Sequence, residues 1–179
     1  MSEIIVLILN MCFPVFAGVV LLLEKKEIPE EKLARKALTA MIIAACFGIL
    51  NITGGEKQLL LCYLGQDLPV YFHVDAMGRL FAAVVTGVWV LAVCYAGEYM
   101  KKEQEQKRFF GFILIVYGIL MGLCYAGNLV TFYLFYEMMT LTTVPLVLHS
   151  RTREAITAGI KYLLYSLCGA YMVLFGTYV

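Results

Sequence analysis

Six long apolar segments run through this chain of 179 residues, and they limit its fold more than any motif does. A helix needs roughly 20 residues to cross a hydrocarbon core of about 30 Å, and these segments approach that length. They are too long and too uniform for the strands of a membrane barrel. The sequence therefore predicts an all-α integral membrane protein, with spanning helices at residues 4–23, 37–53, 76–96, 109–126, 129–148 and 155–178.

Composition agrees with this class, because 62% of the residues are hydrophobic and the mean hydropathy is +0.84. Soluble globular domains are far less apolar. No basic residue precedes the first apolar segment, which is also too long for the core of a signal peptide, so we interpret it as a retained helix. The six cysteines form no CxxC pair and five fall within predicted spans, so we expect small apolar fillers rather than disulfides or cluster ligands.

The lysines and arginines predict the orientation, since short loops rich in these residues stay on the cytoplasmic side of a membrane. The connector loops of one side carry Lys25, Lys26, Lys32, Arg35, Lys36, Lys101, Lys102, Lys107, Arg108, Arg151 and Arg153, whereas those of the other side carry Lys57. We therefore expect both termini outside the cell. The first basic connector, residues 24–36, mixes both signs, and we interpret it as a solvated linker, with a lipid- or partner-binding patch as the alternative.

The remaining connectors indicate local structure. Turn residues flank short β-prone runs in residues 54–74, which predicts a small external hairpin. Asp75 then stands where a helix N-cap is expected, with Arg79 one turn later and within reach of it. Gly118 and Gly122 have the spacing that allows membrane helices to pack closely. We divide the chain into a two-helix segment with an external loop, residues 1–75, and a four-helix segment, residues 76–179.

Glu137 lies near the middle of the fifth predicted span, where a charged side chain costs roughly 2.5–3.5 kcal/mol on insertion scales. Tyr133 and Thr140 share its helix face, and His149 lies roughly 18 Å further along the axis. Burial and nearby charges tune the pKa of a carboxyl, so such a group can exchange protons near neutral pH. Pro145 either bends this helix toward a hydrated path or makes an ordinary kink. The alternative for Glu137 is a permanently protonated acid that holds helices together.

Lys161 places a second ionisable group in the sixth predicted span. Thr157, Tyr165 and Cys168 lie on the same helix face, which gives a polar stripe. Because a short turn makes the last two helices antiparallel, Lys161 can pair with Glu137 directly or through water. A carboxyl and an amine coupled in this way can exchange protonation states, as in a proton relay. The alternative is a lysine whose apolar stem lets the ammonium reach the cytoplasmic interface.

Three segments resemble one family of membrane proteins. They are FHVDAMGRLF at residues 72–81, YLFYEMMTLTTVPLVLH at residues 133–149 and REAITAGIKYLLYSLCGAYMVLFG at residues 153–176. In this order and spacing they are similar to the antiporter-like membrane subunits. That family includes the proton-pumping subunits of respiratory complex I, the Mrp sodium/proton antiporter subunits and the membrane arms of energy-converting hydrogenases. The resemblance covers most of the chain from Phe72 onward.

The resemblance implies a role for each intramembrane charge. The position of Glu137 matches the family's central proton-handling acid, and Lys161 matches the lysine of the following helix. Tyr136 stands where many relatives carry tryptophan. Full-length members have more spans, built as two inverted repeats, so this chain is expected to be the N-terminal part of such a fold. It would then be one piece of a split subunit, a truncated product or a fragment.

These observations predict a proton- or cation-translocating membrane subunit, or its N-terminal part, in a complex I-like or hydrogenase-like redox pump or an Mrp-type antiporter. Glu137 and Lys161 are the predicted relay, supported by Tyr133, Thr140, Thr157, Tyr165 and His149. The alternative is a non-conducting structural subunit in which both charges only stabilise helix packing. No cofactor, metal or nucleic-acid motif is visible, so redox chemistry would belong to other subunits. The expected partners are other membrane subunits, lipid and protons, with sodium as an alternative ion, in a prokaryotic inner membrane.

Overall fold

The computed structural model describes residues 2–24, 29–64, 68–102, 105–149 and 152–178. Within these ranges the elements follow the order α1, α2, β1, β2, α3, a short 3-10 turn, α4, α5 and α6. The helices are α1 Ser2–Leu23, α2 Glu30–Thr53, α3 Ala76–Tyr99, α4 Gln106–Cys124, α5 Leu129–Val147 and α6 Arg153–Tyr178. The strands are β1 Lys57–Leu64 and β2 Leu68–Val74, and the 3-10 turn is Met100–Lys102.

Six helices in the described ranges are long and apolar enough to cross a membrane, which confirms the predicted fold class. The second helix begins several residues before the predicted span at residue 37. Its first turns contain glutamate, lysine, leucine, alanine and arginine, all of which favour helix. Hydropathy marks where a helix enters the hydrocarbon core, whereas the helix itself continues into the polar interface.

The helices do not pack simply in chain order. The most extensive contact joins α1 to α4, and the next joins α2 to α3, so α1–α4 form a bundle around one apolar core. α5 packs on α4, and α6 packs on α5. The predicted close approach at Gly118 is confirmed, since a Cβ there would lie 2.5 Å from the carbonyl oxygen of Met11 on α1. Gly122 faces the ring of Phe135 on α5 with similarly little space.

The predicted hairpin at residues 54–74 is also confirmed. β1 and β2 pair antiparallel from Lys57 opposite Val74 to Leu64 opposite Leu68, with an irregularity between Leu60 and Cys62. The tip, residues 65–67, lies outside the described residues. β2 also contacts the α4–α5 connector, because the His73 amide donates to the Tyr125 carbonyl at 2.8 Å. The hairpin, which lies between α2 and α3 in the chain, therefore also contacts the segment that leads into α5.

Asp75 caps α3 as predicted, because its Oδ1 accepts a hydrogen bond from the Gly78 amide at 2.6 Å. Arg79 is within reach of Asp75 but bonds to its backbone. Its Nε donates to the Asp75 carbonyl at 3.2 Å, and its Nη1 donates to the Gly54 carbonyl at 2.9 Å. The arginine thus ties the start of α3 to the end of α2.

Most of the described cationic residues lie in or beside three connectors, whereas Lys57, Arg79 and Lys161 lie in β1, α3 and α6. Lys25, Lys26 and Arg151 lie outside the described residues. Across the first connector, the Lys36 ammonium makes a salt bridge to Glu24 at 3.0 Å. Because successive spanning helices alternate in direction, these three connectors share one side of the bundle. The orientation of that side relative to the cytoplasm remains a prediction.

The cysteines lie mostly on exposed surfaces of the structure. All six are free thiols, and four of the five within helices are exposed on outer helix faces: Cys12, Cys46, Cys94 and Cys168. Cys124 is half-buried. An exposed position on a spanning helix is compatible with a small apolar side chain that faces lipid.

Candidate functional site

The helix that carries Glu137 is fixed at its start by Asn128. Asn128 Oδ1 accepts hydrogen bonds from the Thr131 amide at 2.8 Å and from the Thr131 hydroxyl at 2.6 Å. Its Nδ2 donates to the Pro69 carbonyl at 2.7 Å, and the Thr131 hydroxyl accepts from the Tyr71 amide at 3.1 Å. One asparagine therefore caps α5 and binds it to the hairpin. Sequence reasoning missed this residue, although an asparagine directly before an apolar run is a typical N-cap.

Glu137 lies in the middle of α5 and is half-buried. Its Oε1 is shielded from solvent and has no hydrogen-bond partner within the described part of the chain. Tyr133 lies one turn earlier, and its side chain interacts electrostatically with the Glu137 carboxyl. The predicted proximity of these two residues is thus found. Buried polar atoms usually have partners, so a shielded carboxyl oxygen without one is unusual.

Hydroxyl groups connect α5 to α6. The Ser166 hydroxyl lies 3.2 Å from the Thr140 hydroxyl and 3.2 Å from the Tyr136 hydroxyl. One turn further, the Thr143 and Tyr162 hydroxyls are 3.0 Å apart. Thr140, which the sequence places on the helix face of Glu137, is buried. The other four were not predicted, although serine, threonine and tyrosine recur at helical spacing in both segments.

Lys161 lies on a different face of α6. Tyr162 and Ser166 face α5, whereas Lys161 lies about 100° around the helix axis from Tyr162 and is exposed. Among the described residues, no salt bridge joins Lys161 to Glu137. The direct pair considered from the sequence is therefore absent, because hydroxyl residues occupy the interface between the two helices.

The predicted polar stripe of α6 is nevertheless present as a surface. Thr157, Lys161, Tyr165 and Cys168 are all exposed, and Tyr165 retains 78% of its accessible surface. Thr157 and Lys161 line a shallow depression together with Arg153, Glu154 and Ala158. The structure therefore places Lys161 on an exposed face of α6, while Oε1 of Glu137 is shielded from solvent.

His149 lies beyond the end of α5 and away from Glu137. Its ring packs edge-on against Phe109 with the centroids 5.7 Å apart, and its Nδ1 is buried without a hydrogen-bond partner in the described ranges. α5 continues through Pro145 to Val147. The Pro145 carbonyl accepts from Arg108 Nη2 at 3.3 Å, so this end of α5 is attached to α4.

A second buried polar cluster lies inside the α1–α4 bundle and was not predicted. The Thr86 and Tyr117 hydroxyls are 3.1 Å apart, and Asn51 donates to the Val6 carbonyl at 3.3 Å. Asn10 is completely buried, and neither polar atom of its amide has a partner among the described residues. Asn10 and Asn51 stood out in the sequence as polar residues within apolar spans, and that was the available clue.

Metal binding finds no support at either polar cluster. Within residues 2–24, 29–64, 68–102, 105–149 and 152–178, no group of three or more histidine, cysteine, aspartate or glutamate side chains could hold a metal ion. The α5–α6 pair instead offers a shielded carboxyl, neighbouring hydroxyls and an exposed amine. Such groups are suited to hydrogen bonding and to proton exchange.

Two family models match the chain. One, described as NADH-Ubiquinone oxidoreductase (complex I), chain 5 N-terminus, matches residues 64–110. The other, described as NADH:quinone oxidoreductase/Mrp antiporter, TM, matches residues 126–179 and therefore includes α5 and α6. The two matches follow one another in the chain, in agreement with the resemblance found in the sequence.

Curated relatives match part of the chain in sequence, and a solved structure shares its fold. Subunit A1 of the Na(+)/H(+) antiporter from Staphylococcus aureus strains JH9, Newman and Mu50 is 27% identical over 115 residues, which cover 64% of this chain and 14% of the relative. A chain of the membrane-bound sulfane sulfur reductase, an archaeal respiratory membrane complex, superposes with a TM-score of 0.73 at 22% identity. That alignment covers 97% of this chain and 26% of the other. With six apolar helices and these bacterial and archaeal relatives, the chain is a multi-pass protein of the prokaryotic plasma membrane.

Proposed function

Because the chain belongs to the antiporter-like family of membrane subunits, we propose that it forms part of a proton-translocating unit in which Glu137 is the protonatable group. The observation that carries this proposal is the Glu137 carboxyl itself, whose Oε1 is shielded and has no partner in the described part of the chain. A carboxylate held in a fixed ion pair resists protonation, since the neighbouring cation stabilises its charge. No such pair holds Glu137 among the described residues.

The exchange between Glu137 and Lys161 is proposed to be indirect. The hydroxyls of Tyr136, Thr140 and Ser166 lie at the α5–α6 interface. A hydroxyl both donates and accepts hydrogen bonds, so a chain of hydroxyls and water can pass a proton where direct contact is absent. In this arrangement Lys161 exchanges protons with Glu137 through the hydroxyls of the interface. Tyr133, one turn away on α5, interacts with the Glu137 carboxyl.

The wider assignment follows from the family and remains a proposal. The relatives are subunits of multi-subunit membrane complexes, and we propose that this chain likewise assembles with other membrane subunits. The parent complex is a complex I-like or hydrogenase-like redox pump or an Mrp-type antiporter, with redox chemistry, where present, on other subunits. The transported ion is the proton, with sodium as the alternative, and both termini face outward.

Proton uptake by membrane vesicles that contain the assembled parent complex tests this function. We expect Glu137→Gln to abolish uptake while the complex still assembles, because glutamine keeps the shape and hydrogen bonding of glutamate but cannot titrate near neutral pH. Glu98→Gln is the matched control, since its carboxylate is exposed and paired with Lys101. It removes the same charge outside the site and should leave uptake unchanged.

Unchanged uptake in Glu137→Gln would overturn the relay. That result would favour the structural alternative, in which a neutral hydrogen-bonding side chain suffices for helix packing.

A separate variant, Lys161→Gln, distinguishes an amine that is coupled to Glu137 from a surface lysine. We expect slower uptake with normal assembly if Lys161 acts on Glu137 through the hydroxyl interface.

A further inference from the structure

A groove between α1 and α2 combines positive charge with an apolar floor. It has a volume of about 490 Å³ and is lined by Phe13, Lys32, Arg35, Lys36, Thr39, Ala40 and Ile43. The six residues from α2 recur at intervals of three or four, so they form one stripe along that helix. Phe13 closes the groove from α1. We propose that this groove binds an anionic phospholipid, with the phosphate at its basic end and an acyl chain along its apolar part.

The basic end of the groove carries charges of the kind that bind a phosphate. Lys36 already pairs with Glu24 at 3.0 Å, which leaves Lys32 and Arg35 as the cations with no salt bridge among the described residues. Both are exposed. The described lining of the groove includes no carboxylate, although the connector as a whole is mixed in sign. Arginine and lysine bind phosphate oxygens by charge-assisted hydrogen bonds, and arginine can do so with two parallel bonds.

The position along the helix fits a lipid better than a soluble anion. Lys32 begins the part of α2 that is apolar enough to span a membrane, so the cations lie where lipid headgroups lie. From Lys32 to Ile43 the groove runs roughly 16 Å along the axis, at 1.5 Å per residue. This distance accommodates a headgroup and the upper part of one acyl chain. A free phosphate would use the cations but leave the apolar part of the groove empty.

The partner is therefore defined by its chemistry, an anionic headgroup joined to a hydrocarbon chain. Basic pockets between transmembrane helices have the features that bind anionic headgroups, and each lysine or arginine near the membrane surface adds attraction. The first basic connector thus has a role beyond that of a solvated linker. This inference concerns the α1–α2 side of the bundle and does not depend on Glu137.

Native mass spectrometry of the delipidated full chain in detergent tests the site. The protein is incubated with equal amounts of dioleoyl-phosphatidylglycerol and dioleoyl-phosphatidylcholine, which share acyl chains and differ in headgroup charge. We expect the chain to retain phosphatidylglycerol preferentially. In Lys32→Gln/Arg35→Gln we expect the affinity for phosphatidylglycerol to fall roughly 25-fold, about fivefold for each charge. Binding of phosphatidylcholine should not change.

Two further variants distinguish binding in this groove from attraction of anionic lipid to any basic residue of the chain. Lys107→Gln/Arg153→Gln removes the same two charges away from the groove and should keep the preference. Thr39→Phe fills the groove at an exposed position without changing its charge, and we expect it to weaken phosphatidylglycerol binding at least fivefold. Equal losses in both double variants would overturn the site, because they would show binding to charge alone. Unchanged binding in Thr39→Phe would overturn the acyl-chain groove. Circular dichroism verifies that each variant retains its helices.

Discussion

Two buried tyrosines differ in whether their hydroxyl has a hydrogen-bond partner, and this difference should affect the stability of the fold. Tyr117 and Tyr125 are both fully buried. The Tyr117 hydroxyl lies 3.1 Å from the Thr86 hydroxyl, whereas the Tyr125 hydroxyl has no partner among the described residues. Burial raises the pKa of the Tyr125 phenol, so this group stays neutral at physiological pH. A neutral hydroxyl without a partner still carries the cost of lost hydration.

We therefore expect opposite results from the same substitution at these two positions. Tyr117→Phe should lower the free energy of unfolding by about 1 kcal/mol, because it leaves the Thr86 hydroxyl without a partner. Tyr125→Phe should leave that energy unchanged or raise it, because it removes an unpartnered polar atom. Thermal unfolding of the purified chain in one detergent measures both. Equal destabilisation of both variants would contradict this account and indicate that Tyr125 has a partner.

At the scale of elements, the α1–α4 contact depends on residues without side chains. A Cβ added at Gly118 would lie 2.5 Å from the Met11 carbonyl oxygen, and one added at Gly18 would lie 2.5 Å from the Gly111 carbonyl oxygen. Backbone atoms cannot rotate away as side chains can, so the helices would have to separate. Small residues are how membrane helices achieve such approach, because packing replaces the hydrophobic effect between helices in lipid.

We therefore expect alanine to lower the free energy of unfolding at Gly118 but not at Gly87. Gly118→Ala should lower the free energy of unfolding by about 1–3 kcal/mol, as overpacked sites do. Gly87→Ala is the matched control, since nothing lies within 4 Å of the position of its added Cβ. Alanine there should be neutral or slightly stabilising, because alanine favours helix more than glycine does. Thermal unfolding compares the two, and a mild effect at Gly118 would show that α1 can shift without cost.

For the whole molecule, the distribution of positive charge predicts the orientation in the membrane. The hairpin lies on the opposite side from the three basic connectors, because α2 and α3 flank it. Cys62 on β1 is an exposed free thiol and reports on that side. The other exposed thiols lie within spanning helices: Cys12, Cys46, Cys94 and Cys168. A water-soluble reagent should react poorly with them, because the thiolate is the reactive form and little of it exists in an apolar environment.

A membrane-impermeant maleimide should therefore label Cys62 in intact bacterial cells, and Cys62→Ser should abolish that labelling. A cysteine introduced by Lys107→Cys, on the basic side, should react only after the cells are permeabilised. The reverse pattern would show that the hairpin faces the cytoplasm. It would contradict the predicted outward location of both termini.

The sequence by itself determined the membrane class, the six helices, the hairpin and the Asp75 cap. These features depend on local composition, because a long apolar segment in lipid must satisfy its own backbone by forming a helix. The sequence also identified Glu137 and its neighbour Tyr133, since one turn of helix brings them together. The division at residue 75 and the roles of the predicted relay residues remain predictions.

Only the tertiary structure decided which helix faces meet. In the structure α1 packs on α4, and the Thr140 hydroxyl lies opposite the Ser166 hydroxyl. Lys161 lies on an exposed face of α6, and no direct Glu137–Lys161 pair forms among the described residues. The tertiary structure also brings Lys32 and Arg35 onto the same groove as Phe13. Helical periodicity gives the angle between residues on one helix but not the rotation of one helix against another. That rotation is set by packing, by glycine contacts and by interhelical hydrogen bonds, all of which are properties of the assembled bundle.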